Sequence, residues 1–130
     1  MLDYIRGDRM KKIIFLLSTL VTLLSFSYID GRYTAIKKNG NNISELTLIY
    51  RNNKIISAAF DKKNSTGLSE KLTNKEFATK SIRVSSQISM YNSIEGVKIN
   101  FDSDTDKDLK KLFKFLEEKA KKGEKGTFEL

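Results

Sequence analysis

The residues best suited to chemistry cluster near the end of the chain. Asp102, Asp104 and Asp106 alternate like the first three ligands of a calcium loop, and Asn100 and Ser103 lie beside them. A calcium loop also needs glycine at its sixth position and glutamate at its twelfth. Those positions hold Lys107 and Phe113. The acids therefore read as the start of a helix, whose positive end favours carboxylates. The same positive end favours bound anions, which makes Asn100 and Ser103 the candidate ligand contacts. Nothing singles out a glycosidase-type pair of carboxylates, and no metal site is expected.

Composition removes most other chemistry. The 130 residues include no Cys, His, Pro or Trp. Disulfides, thiolate nucleophiles and lipid-bearing cysteines are excluded. Zinc, copper and iron–sulfur centres lose their usual ligands. A Ser–His–Asp triad and histidine general-base catalysis are impossible. Carboxylate, hydroxyl, lysine or borrowed-cofactor chemistry remains. The chain carries 24 Lys+Arg against 16 Asp+Glu, a net charge of +8. The lysines interleave with acids and lack arginine clustering, so nucleic acid is not an expected partner.

The N-terminus reads as an address. Lys11 and Lys12 precede an uncharged run, Ile13 to Ile29, whose apolar heart ends at Leu24. That heart is shorter than the ~20 apolar residues of a membrane-spanning helix. Ser25-Phe26-Ser27 supplies small residues at the positions a signal peptidase reads. The expectation is an N-terminal extension and secretory signal over residues 1–27, cleaved after Ser27, with an uncleaved anchor touching the membrane or a buried core helix as alternatives. Met10 is an alternative start to Met1. Localisation is expected to be secreted, periplasmic or cell-envelope. Removing Arg6, Arg9, Lys11, Lys12, Asp3 and Asp8 takes the net charge from +8 to +6 for residues 28–130. One domain of this size can bury a core without covalent staples.

Periodicity sets out the elements that must position any site. Arg32 to Lys38, Ile43 to Arg51 and Lys54 to Asp61 read as three strands of an antiparallel meander. Asn39-Gly40-Asn41-Asn42 and Asn52-Asn53 are the turns. Leu46, Leu48 and Tyr50 should share one face of the second strand, and Ile56, Ala58 and Phe60 one face of the third. Tyr33, Tyr50 and Phe60 are expected in the core, with a ligand-stacking platform as the alternative. Thr73 and Glu76 have capping-box spacing, so a helix is expected from about Asn74 to Ser85, then irregular structure or strand. Phe77, Ala78 and Ile82 would share a side of it. Val97 to Phe101 alternates and reads as a fourth strand. Leu109, Leu112, Phe113, Leu116 and Ala120 form one apolar helical stripe. Lys119, Lys121 and Lys122 suit that helix's negative end, and Gly123 stops it. Glu124 to Leu130 is a short tail. The fold class is α+β: a meander and a fourth strand packed against a C-terminal amphipathic helix, with a middle helix.

Three features carry a resemblance: Asp30-Gly31-Arg32-Tyr33-Thr34-Ala35; Asn53-Lys54-Ile55-Ile56-Ser57-Ala58-Ala59-Phe60-Asp61, followed by Lys63-Asn64 and Gly67; and the terminal helix ending Glu118-Lys119-Ala120-Lys121-Lys122-Gly123. In order and spacing, the chain resembles the FMN-binding domain family, in particular its small exported members, often described as membrane immunogens or pheromone-related proteins. The resemblance implies a small α+β fold and an FMN, in many members esterified to the hydroxyl closing a Ser-Gly-Ala-Thr motif before the last helix. Counting back from Leu109 places Asn100-Phe101-Asp102-Ser103 there. Ser103 keeps a hydroxyl, but Phe101 adds bulk and Asp102 adds a charge that repels phosphate. The expected function is a non-enzymatic exported module binding an envelope partner or small ligand, without covalent flavin. The alternative is an FMN-binding redox protein of the cell envelope, in which the flavin would supply the chemistry.

Overall fold

The computed structural model describes residues 27–130, and the segment expected to be a secretory signal lies outside them apart from Ser27. Strands β1 (Gly31–Asn39), β2 (Asn42–Arg51) and β3 (Lys54–Lys63) form the expected antiparallel meander. The turns follow from their residues. Gly40 takes φ 60°, and Asn52 and Asn53 take φ 51° and 64°, left-handed values that asparagine and glycine tolerate best. A short 3-10 turn (Glu70–Leu72) leads to α1 (Lys75–Tyr91), and an irregular connection leads to α2 (Ser103–Lys122). Strand β4 (Gly126–Glu129) completes a sheet of order β3-β2-β1-β4, parallel to β1. The architecture is α+β.

Helix α1 lies on β3, and α2 on β1 and β2. Between helices and sheet, Tyr33, Ala35, Leu46, Leu48, Phe60, Leu109, Leu112, Phe113, Leu116 and Ala120 are buried. The α2 stripe is the one its spacing predicts. Tyr33, Tyr50 and Phe60 are core residues, as expected. Gly123 ends α2 at φ 71°, and a Cβ there would stand 2.7 Å from Ile29 Cδ1. Both the turn and the close approach therefore require glycine.

Four details differ from the sequence reading. First, α1 does not stop near Ser85. Phe77, Ser81, Val84 and Ile88 form its buried stripe, and Ile82 and Met90 face out. The period-two spacing of Ile88 and Met90 is incidental to that stripe. Its cap is Asn74, whose side chain accepts from Phe77 N–H, rather than Thr73. Second, Val97 to Phe101 is not a strand. Val97 N–H donates to Ile94 O, and two further backbone donors go to side chains: Lys98 N–H to Gln87 and Phe101 N–H to Asp106. Val97, Ile99 and Phe101 still pack against the core.

Third, the fourth strand comes from the tail. Phe128 meets Phe115 edge-on at 5.7 Å, Lys119 Nζ lies 4.7 Å above the Phe128 ring, and Leu130 N–H donates to Ile36 O. Fourth, the β2–β3 register shifts: Ile49 pairs with Ser57 but Tyr50 with Ile55. The extra residue is Ile56. This bulge turns Ile55 inward at 3% exposure and leaves Ile56 at 50%.

Candidate functional site: a polar cleft at the end of the core

The helix-facing side of the sheet changes character along its length. Ala35, Leu46 and Phe60 pair across three strands and are fully buried. Two residues further, on the same face, stand Lys37, Ser44 and Lys62, again in register. Adjacent strands are ~4.8 Å apart, so the two lysines straddle Ser44. The first turns of α2 form the opposite wall. The cleft between has a volume of about 600 Å³ and is lined chiefly by Lys37, Ser44, Lys62, Asp102, Thr105 and Asp108, with Lys107 and Lys111 at its rim.

Two of its acids, Asp102 and Asp108, are engaged by protein donors. Asp108, 5% exposed, accepts from Lys37 Nζ at 2.6 Å and from Asn39 Nδ2. Asp102 caps α2, accepting from Thr105 N–H at 2.8 Å and Thr105 Oγ1 at 2.8 Å. Those two bonds, the backbone one first, hold its carboxyl below the usual range. Asp106 accepts from Phe101 N–H. Among the described residues no group of acids is arranged to hold a metal ion.

The donors are less fully engaged. Lys62 Nζ donates to the neutral Thr105 hydroxyl at 3.1 Å, with Glu70 and Asp102 carboxylates at 3.9 and 4.0 Å. Ser44 is 2% exposed and its hydroxyl has no hydrogen-bond partner among the described residues. The sequence reading missed the Lys37–Ser44–Lys62 row. Its signal was the period-two face of each strand running on past the apolar residues into lysine and serine.

The structure places Asn100 and Ser103 outside this cleft. Asn100 is exposed, its carbonyl accepting from Lys80 Nζ at 3.0 Å. Ser103 is the exposed first residue of α2. Between them Asp102 already supplies the carboxylate at the helix N-terminus. A flavin phosphate at Ser103 would meet that carboxylate, so these residues do not fit a phosphoester-linked FMN.

A second polar feature lies at the other end of the core. Tyr28 stacks on Tyr50 with ring centroids 4.8 Å apart, and Tyr33 meets Tyr50 edge-on at 5.8 Å. Tyr33 OH donates to Ile29 O at 2.7 Å, and Tyr28 OH to Glu117 at 3.4 Å. The Tyr50 hydroxyl is buried and has no hydrogen-bond partner among the described residues. Burial raises the pKa of all three phenols.

No protein-family model and no curated protein matches this sequence. The fold is similar to the crystal structure of CPE2226 protein from Clostridium perfringens, with TM-score 0.65 and 15% identity, covering 79% of this chain and 98% of that one. At that identity the likeness shows the fold alone.

Proposed function

We propose that residues 28–130 form an exported, non-enzymatic module that binds a small polar ligand or the polar side chains of an envelope partner. The observation that carries this reading is the cleft, where an apolar core gives way to the Lys37–Ser44–Lys62 row. A cleft with a few convergent polar groups is the usual form of a ligand site. The hydroxyl of Ser44, a 2% exposed residue, has no hydrogen-bond partner among the described residues and is the kind of group a ligand satisfies. Asp102 and Asp108 serve as cap and ion-pair partner, which favours scaffolding roles over proton transfer.

Export rests on Lys11-Lys12, the short apolar run and Ser25-Phe26-Ser27. The packing of the domain suits a mature end at Tyr28: its backbone nitrogen donates to Asn53 Oδ1 at 2.8 Å, a bond that a free amino group can also make. In its motifs the chain resembles small exported FMN-binding domains, and the proposed module is such a scaffold without flavin.

Intact mass and an absorbance spectrum of the protein purified from its secreted or envelope fraction test these statements together. The expected result is the mass of Tyr28–Leu130 with no flavin absorbance. A yellow protein carrying an FMN adduct would overturn the non-flavin reading, and an unprocessed mass in the cytoplasmic fraction would overturn export.

A further inference from the structure

We propose that the cleft is an oxyanion site, taking the phosphate or carboxylate end of a small ligand on Ser44 between Lys37 and Lys62. This rests on the binding-module reading and specifies its ligand class. Both oxygens of Asp102 and both of Asp108 accept hydrogen bonds from the protein. Lys62 makes its one hydrogen bond to a neutral hydroxyl, with the Glu70 and Asp102 carboxylates no nearer than 3.9 Å, and keeps donors in reserve. Lys107 and Lys111, exposed at the rim of the cleft, add positive charge.

Ser44 completes the floor. It is nine-tenths buried, lines the cleft and has no hydrogen-bond partner among the described residues. A hydroxyl there can donate to an oxyanion that two ammonium groups flank. Charge-assisted bonds of this kind are the strong ones. Asp104 at the rim opposes an anion, so the bound group belongs at the floor, near Ser44 and Lys62. The 600 Å³ volume leaves room for a ligand body beyond the anionic end.

The test is an amide NMR titration of the protein as the cell processes it, at fixed ionic strength. The probes are inorganic phosphate, citrate, glucose and putrescine. Phosphate or citrate should shift the Ser44, Lys62 and Thr105 amides saturably. The stronger of the two distinguishes a phosphorylated from a carboxylic ligand. Lys62→Met and Ser44→Ala should each weaken that binding, the lysine change by about tenfold, while Lys114→Gln, on the exposed face of α2, leaves it unchanged. Should Lys62→Met fail to fold, Lys107→Gln/Lys111→Gln at the rim replaces it, with severalfold weakening expected. Equal weakening by Lys114→Gln would reduce the effect to diffuse attraction and overturn the site. Shifts in the cleft from glucose or putrescine alone would overturn the oxyanion assignment and leave the binding-module reading standing. No shift there with any probe would overturn both.

Discussion

The ring of Tyr28 lies on the ring of Tyr50, centroids 4.8 Å apart and planes within 27°, and the Tyr50 hydroxyl has no hydrogen-bond partner among the described residues. The stack ties the segment before β1 to β2. It also closes water away from the phenol, whose ionisation burial opposes first, with Tyr28 and Glu117 adding to it.

Removing that hydroxyl should therefore help. Tyr50→Phe keeps the stack and removes a buried polar atom that lacks a partner, so stability should rise by about 1 kcal/mol. The raised phenol pKa also sets a sign with pH. Above about pH 10 the unfolded tyrosines lose protons while Tyr50 stays neutral, so stability falls as pH rises. Tyr50→Phe should flatten that alkaline slope. Urea melts at pH 7 and on the alkaline side of 10 read both effects, and a lower midpoint for the variant at pH 7 would show that the hydroxyl is satisfied.

Asp102 should govern part of the acid limb. Its carboxyl is held low in the fold by Thr105 N–H and then Thr105 Oγ1. Its contribution is present above the unfolded carboxyl pKa of ~3.9 and is lost as pH falls through the lower folded value. Asp102→Asn retains a capping side chain and should lose only the acid slope. Asp102→Ala should cost about 1 kcal/mol at neutral pH. Equal acid slopes in wild type and Asp102→Asn would remove Asp102 from this role.

Lys37 and Asp108 should behave as one unit. Their side chains are 25% and 7% exposed. Lys37→Met strands a buried carboxylate with only Asn39 to satisfy it, and should cost about 3 kcal/mol. Lys37→Met/Asp108→Leu removes both charges and should cost less than the sum of the single changes, a coupling that denaturant melts of all four proteins would measure. Additive losses would place the pair in solvent-like surroundings.

The bulge in β3 predicts opposite outcomes for neighbouring isoleucines. Ile55→Ala should cost about 2 to 4 kcal/mol, because Ile55 is buried against the helices. Ile56→Ala should change stability by no more than about 0.5 kcal/mol, because Ile56 is half exposed. Thermal melts of the two variants would separate them, and reversed costs would mean that β3 runs without its extra residue.

What could be read from the sequence followed the reach of each signal. The α2 stripe from Leu109 to Ala120 repeats across about three turns, so no single residue could mislead. The asparagine turns carry their backbone requirement in the residue type. The bulge carries no such mark: Ile55 and Ile56 are the same residue, and only pairing across to Ile49 and Tyr50 decides which turns inward. Strand β4 offers one apolar residue, Phe128, and owes its place to β1's unpaired edge. Val97 to Phe101 alternates as a strand does, yet Gln87 and Asp106 satisfy backbone donors that a ladder would need. The cleft was hidden for a related reason. Lys37, Ser44 and Lys62 are far apart in sequence, and the register of three strands brings them together.

The parallel pairing of β1 with β4 has a kinetic meaning. The two hairpins close over turns of two residues and can form early, whereas the chain between Tyr33 and its partner Gly126 holds two strands and both helices. Contacts of such long sequence separation form slowly, because loop-closure entropy precedes their reward. Until then β1 presents an open edge bearing Tyr33 and Ala35, a template for any other extended chain. Refolding yield should accordingly fall with protein concentration, with the loss set during the interval before β4 arrives.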